Sequence, residues 1–291
     1  MSGQQTTIPV KQFDMSQLKM NSVIVVIGRR NSGKSTLIKD ILYHQRRLPA
    51  GCVISGSEEV NSFYSSFIPS ILIKNEFRTE HLENLFKRQK SVLQRAGEGA
   101  LSVSPDCFLV MDDCLFDNKW TRDVEMRRVF LNGRHYKITY LLSLQYPLGI
   151  SPFLRTQIDY VFILRDQSLN NRKRLYVNYA GVIPTFELFC KMMDRLTSDY
   201  GCMVIDNTNP AASTYLDCVR WYRANTGLPS FRMCDDALWK LNEEHVRRQR
   251  ERERDLEREG GGAGVGMDAA LQCMKKSPRV YVQKLMLGHG A

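Results

Sequence analysis

Short, nearly continuous apolar runs alternate along this chain with longer stretches in which apolar positions return every three or four residues. The runs lie at 23–27, 51–55, 107–111, 138–144, 160–164 and 202–206. Strands with so little polar alternation are covered on both faces, as in a parallel sheet. The helical period predicts helices over 34–46, 79–95, 122–132, 168–179, 184–195 and 235–258. Strands and helices taken in turn predict an α/β fold, a mainly parallel central sheet flanked by helices. No internal repeat interrupts the series.

The first run feeds straight into Gly28-Arg29-Arg30-Asn31-Ser32-Gly33-Lys34-Ser35-Thr36. This spacing, after a strand and opening a helix, is that of a nucleoside-triphosphate loop. Backbone N–H groups of such a loop surround the phosphates, and the helix adds the positive end of its dipole. The expected ATP-binding set is Gly28, Asn31, Ser32, Gly33, Lys34, Ser35 and Thr36. Lys34 reaches the β- and γ-phosphates, and the Ser35 hydroxyl takes a place on Mg2+. Glycine at 28 and 33 permits the tight turn and the close approach of phosphate. A chance match in a surface loop lacks the strand and helix present here.

The run Cys107-Phe108-Leu109-Val110-Met111 ends in Asp112-Asp113. In P-loop enzymes such a strand is expected beside the first, which brings its terminal acid to the metal held by Ser35. Asp112 is the expected metal partner, and Asp113 the group that orients and deprotonates the attacking water. The bland alternative is a strand end closed by turn-forming acids. The run 138–144 ends in Gln145, at the edge where open α/β sheets bind ligands. Gln145 is a candidate γ-phosphate sensor or water holder, with a buried, backbone-satisfied amide as the alternative. Asn132-Gly133-Arg134-His135 precedes that run, and Arg134 is either a finger on the transferred phosphoryl group, of a kind that a neighbouring subunit can supply, or a phosphate-binding or salt-bridged arginine on the helix end. His135 has no metal-ligating companions and is read as structural.

The chain has 291 residues, of which 43% are hydrophobic, enough for one large domain with appendages. The expected division is an N-terminal extension over 1–20, a P-loop domain over 21–234, a charged helix over 235–259, and a glycine-rich linker and basic tail over 260–291. No run approaches a membrane span, and no secretory leader is recognisable, so a reducing, cytoplasmic setting is expected. Eight scattered cysteines lack finger spacing, which indicates neither zinc nor disulfides, and most are read as small buried hydrophobes. The net charge of +10 points to a polyanionic partner. Residues 240–259 hold seven basic and seven acidic residues, so that segment adds nothing to the excess and reads as a solvated helix laced by ion pairs. Arg172-Lys173-Arg174 is a candidate DNA-facing cluster, with a solvated helix face as its alternative.

The order of these elements resembles the genome-packaging ATPases of nucleocytoplasmic large DNA viruses, the poxvirus-type branch of the FtsK-HerA superfamily. The resemblance runs from about residue 12 to 223. It is carried by Val26-Ile27-Gly28 through Leu42, Glu59 through Tyr64, Ile68-Pro69, Arg88-Gln89, Asp112-Asp113, Arg134-His135-Tyr136, Leu144-Gln145 and Asp159-Tyr160-Val161-Phe162. It implies a RecA/FtsK-HerA-like P-loop fold and a ring-forming motor, a hexamer or pentamer of self copies. Such a motor hydrolyses ATP with Mg2+ between subunits and drives double-stranded DNA into a capsid without reading its sequence. It further implies capsid vertex proteins as partners, and the host cytoplasm or viral factory, or association with the virion, as the location. By position the resemblance implies that Lys34 and Ser35 bind phosphate and Mg2+, Asp112 supports the metal, Asp113 activates water and Gln145 senses, with Arg134 as a candidate trans-acting finger. Much of the wider superfamily has Glu where this chain has Asp113.

Three other functions share some of these features. A terminase-like motor needs a nuclease domain with clustered acids, for which the chain after 206 has too little length. A P-loop nucleotide kinase would use Arg172-Lys173-Arg174 as a lid, whereas adjacent acids at the strand end suit water activation. A nucleotide-gated assembly protein would bind ATP with little turnover.

Overall fold

In a computed structural model, residues 8–99, 104–114 and 118–260 are described. A first compact unit reaches Asn242 and a second begins at Glu243.

Among the described residues eight strands form one sheet: β1 Val23–Ile27, β2 Gly51–Ser55, β3 Ile73–Lys74, β4 Cys107–Asp112, β5 Ile138–Leu144, β6 Tyr160–Leu164, β7 Gly201–Asp206 and β8 Val219–Arg223. Their order across the sheet is β3-β2-β4-β5-β1-β6-β7-β8. The first six are parallel, whereas β7 pairs antiparallel to β6 and β8 antiparallel to β7. Every residue of β1 and β5 is buried, as the apolar runs require. The sequence pattern missed β8, whose Val-Arg-Trp-Tyr-Arg is neither a continuous apolar run nor a regular alternation, and β3, which has two residues.

The helices are α1 Lys34–His44, α2 Glu58–Asn61, α3 Thr79–Gly97, α4 Val124–Asn132, α5 Pro152–Arg155, α6 Leu169–Tyr179, α7 Phe186–Leu196, α8 Tyr215–Cys218 and α9 Asp236–Gly260. The short α2, α5 and α8 are single turns that periodicity does not reveal. Leu37, Ile38, Ile41 and Leu42 of α1 pack on one sheet face with Val26, Val110 and Leu141. Leu82 and Phe86 of α3, Val129 and Phe130 of α4, and Phe189 and Met193 of α7 cover the other. At about 25 cal/mol per Å2 of apolar area, these two interfaces supply most of the drive to fold.

Of the expected N-terminal extension, residues 11–18 pack on the domain, and residues 1–7 lie outside the described residues. Trp221 N donates to Lys11 O (3.1 Å) and Phe13 N donates to Trp221 O (2.8 Å), so the segment lies along β8. The Phe13 ring meets Tyr160 and Phe162 edge to face, each at 5.7 Å. Burial of Phe13, Met15 and Leu18 is what fixes it. The start of α9 also belongs to the first unit, since Asn242 Oδ1 accepts from Ser70 Oγ at 2.8 Å and from Ile71 N at 3.0 Å. Beyond it, Arg248 and Glu244 pair along the helix at 3.7 Å, as the interleaved charges predict. The seven described cysteines are free thiols, of which Cys52, Cys107 and Cys202 are buried and four are only partly covered, so fewer are core residues than expected.

Candidate nucleotide site

The glycine loop leaves β1 at the carboxyl edge of the sheet. Gly28 N donates to Leu144 O (3.0 Å), which ties the loop's first residue to the end of β5. A Cβ on Gly28 would stand 2.5 Å from Ser32 Oγ and 2.8 Å from Leu164, so only glycine fits there. Gly33 caps α1 with φ 93°, the left-handed region. Asn31 is also left-handed at φ 60°, as asparagine tolerates. The first turn of α1, with Lys34, Ser35 and Thr36, presents unpaired backbone donors to the loop's concavity.

Lys34 Nζ donates to Gly28 O at 2.8 Å and to Arg29 O at 3.2 Å, which holds the ammonium over the loop. Burial lowers its pKa from the ordinary value, while Asp112 and then Asp113 pull it back up. The two acids of β4 thus sit within electrostatic reach of the lysine, as expected from the sequence.

Their route there differs from expectation. β4 does not lie beside β1, because β5 is inserted between them and pairs with both. Asp112 therefore stands two strand spacings from β1, about 10 Å at 4.8 Å per spacing. Parallel register compensates: Met111 is level with Leu142, and Ser143 level with Val26, so all three strands end together. The inserted strand delivers Gln145 into the gap. Gln145 Nε2 donates to Asp113 Oδ1 at 2.7 Å, and Asp113 holds a left-handed φ of 53°. Neither the contact nor the backbone strain was visible in sequence.

Asp112 Oδ2 accepts from Tyr64 Oη at 2.9 Å. Tyr64 is fixed by the buried carboxylate of Glu58, which accepts from Tyr64 N (2.9 Å) and Ser65 N (2.8 Å). Burial first, and the charge of Asp112 second, push the phenol well above its ordinary pKa, so it remains a donor. Tyr64 ends the 59–64 segment, in which no local pattern points to a partner 48 residues away.

Whether these residues suit Mg2+ is tested by Ser143. Its hydroxyl is 3% exposed and has no hydrogen-bond partner. It shares a strand level and a sheet face with Asp112, the face on which α1 packs. A buried hydroxyl without a protein partner beside a carboxylate suits an aquated ion. No group of three or more His, Cys, Asp or Glu gathers among the described residues. One carboxylate, hydroxyl oxygens, water and phosphate form the hard-oxygen set that Mg2+ takes. This donor set is of the kind that fits the ion.

Arg134 lies elsewhere. It precedes β5 at the amino edge, and a strand of seven residues separates it from Gln145, about 20 Å at 3.3 Å per residue. Arg134 pairs with Asp159 Oδ1 at 3.8 Å, while Asp159 Oδ2 accepts from Val23 N at 2.8 Å. Its guanidinium therefore does not enter its own chain's site. His135 is exposed beside it. Arg172 departs from the DNA-facing and lid expectations: it is 7% exposed and bonds both oxygens of Asp194, at 2.6 and 3.2 Å, and Asp166 O at 2.6 Å. Lys173 and Arg174 alone of that trio face solvent.

A parallel sheet with a glycine loop ending β1, acids ending β4 and an inserted β5 defines a P-loop NTPase fold. No protein-family model matches the chain. It is 40% identical over 225 residues to "Uncharacterized protein L437" of Acanthamoeba polyphaga mimivirus, covering 76% of this chain and 78% of that one. It is 38% identical over 232 residues to "Uncharacterized protein 088R" of Invertebrate iridescent virus 3, covering 76% and 86%. The chain belongs to the family of viral proteins that includes these two. Among solved structures it is similar to the genome packaging NTPase B204 from Sulfolobus turreted icosahedral virus 2 in complex with sulfate, with 18% identity, a TM-score of 0.49, and coverage of 72% of this chain and 98% of that one.

Proposed function

We propose that this protein hydrolyses ATP with Mg2+ and couples the reaction to movement of double-stranded DNA, as a packaging motor built from a ring of its own copies. The observation that carries the proposal is the convergence of Lys34, Asp112, Asp113 and Gln145 at one sheet edge, with Asp113 and Gln145 joined at 2.7 Å.

In this scheme the loop N–H groups and Lys34 hold the phosphates. Ser35 and Asp112 hold the Mg2+, which supplies positive charge against the phosphate oxygens. Tyr64 keeps Asp112 turned toward that position. Gln145 orients the attacking water, whose proton passes to the Asp113 carboxylate. Asparagine, serine and threonine at 31, 32 and 36 line the phosphate path. Arg134 serves a neighbouring subunit's site, a role supported by its amino-edge position and its half-exposed side chain. Sequence-blind DNA binding follows from the basic excess, with phosphate contacts that weaken as salt rises. The capsid vertex and the viral factory in host cytoplasm complete the proposal, supported by the sequence resemblance and by the viral origin of the relatives. Burial of Arg172 against Asp194 removes the lid on which a nucleotide kinase would depend.

The test is ATP hydrolysis with and without duplex DNA across a salt series. Stimulation that fades with salt is expected. A rate indifferent to DNA, with phosphate transferred to a nucleoside monophosphate, favours a kinase instead.

A further inference from the structure

Beside the glycine loop opens a cleft of about 740 Å3, bounded by Arg30 and Ser32 on the loop and by Thr197, Asp199 and Tyr200 before β7. Its size lies within the range of small-ligand sites. The wall before β7 is strained: Asp199 and Tyr200 are consecutive non-glycine residues with φ of 58° and 59°. Left-handed backbone at a residue with a side chain stores strain. Asp199 is held by an ion pair to Arg223 of β8 at 3.1 Å. The turn runs close against the end of α7: a Cβ on Gly201 would stand 2.4 Å from Leu196 O, so only glycine follows it.

What this strain secures is the place of one aromatic ring. A Cβ on Gly33 would lie 3.3 Å from Tyr200 Cδ1, so the ring leans on the capping glycine of the phosphate loop. Core packing does not explain the arrangement, because Tyr200 is 70% exposed. A strained turn that holds an exposed ring over a phosphate loop, inside a cleft larger than a triphosphate needs, is suited to a flat π partner.

We infer that Tyr200 is the nucleobase platform: the base of the nucleotide whose phosphates occupy the glycine loop stacks on its ring. The inference rests on the nucleotide reading above and adds to it a residue that the sequence did not suggest. Base–aromatic stacking is worth about 1–3 kcal/mol, a factor of roughly 5 to 150 in affinity.

The experiment is calorimetric titration of the full chain, as wild type, Tyr200→Ala, Tyr200→Phe and Lys34→Ala, with Mg·ATP and separately with Mg·tripolyphosphate, which has no base. Tyr200→Ala is expected to weaken ATP by about 5- to 150-fold and to leave tripolyphosphate unchanged, while Tyr200→Phe retains ATP affinity. Lys34→Ala is expected to weaken both. Unchanged ATP affinity in Tyr200→Ala, or an equal loss on tripolyphosphate, overturns the platform while the phosphate loop stands. Failure of the wild type to bind either compound overturns the nucleotide reading and the platform with it.

Discussion

Gln145 and Asp113 end neighbouring strands, and the amide of the first donates to the carboxylate of the second at 2.7 Å. The bond spans the boundary that the inserted β5 creates between the phosphate loop and the acids. It aims the amide and leaves the second carboxylate oxygen of Asp113 for water. Asp113→Asn keeps the shape and removes the base, so kcat is expected to fall by about 10²–10⁴-fold with ATP affinity kept. Gln145→Leu is expected to lower kcat in the same direction without abolishing binding. Steady-state hydrolysis beside equilibrium binding separates the two effects.

Tyr64 carries a second prediction. Tyr64→Phe removes one hydrogen bond, worth about 0.5–1.5 kcal/mol, and frees Asp112 to rotate. The Mg2+ concentration needed for half-maximal hydrolysis is expected to rise, with a small loss of thermal stability. An unchanged Mg2+ requirement contradicts the positioning role.

Strands 23–27, 51–55, 138–144 and 160–164 are legible to the residue because burial on both faces leaves an apolar run with abrupt ends. The order of those strands is not, since β4 and β1 carry no mark of the β5 between them. The same holds for direction: β7 is as apolar as its parallel neighbours, yet it runs against them. The phosphate loop and Asp112-Asp113 are legible because local spacing defines their chemistry. Tyr64, Ser143 and Tyr200 reach the site through tertiary contacts, and nothing in their immediate neighbours reports them.

Arg172 ties α6 to α7 through Asp194. Arg172→Met leaves Asp166 O without its donor, and a loss of about 1–3 kcal/mol is expected, near 2–4 °C of Tm for each kcal/mol. Asp194 is half exposed, so it rehydrates in the variant and its share of the loss is the smaller, pH-dependent part. The hydrogen bond from Arg172 lowers the Asp194 pKa below its ordinary 3.8. A depressed carboxylate stabilises the fold above the unfolded value and loses that contribution as pH falls through the folded one. The gap between wild type and Arg172→Met is therefore expected to be full near neutrality and to narrow below about pH 4. Chemical denaturation at two pH values checks it.

Arg134 sits at the opposite sheet edge from its own Lys34, so the two can share a site only across subunits. Lys34→Ala and Arg134→Ala are each expected to be inactive, and their mixture to regain hydrolysis. If both variants assemble and no mixture recovers any activity, Arg134 is a structural partner of Asp159 and nothing more.

The most direct measurement is a crystal structure with a nonhydrolysable ATP analogue and Mg2+. Triphosphate is expected in the turn from Gly28 to Ser35, with the metal between the Ser35 hydroxyl and Asp112, and Asp113 with Gln145 facing the terminal phosphate. Nucleotide bound elsewhere, or Asp112 and Asp113 turned away from the phosphates, contradicts this arrangement.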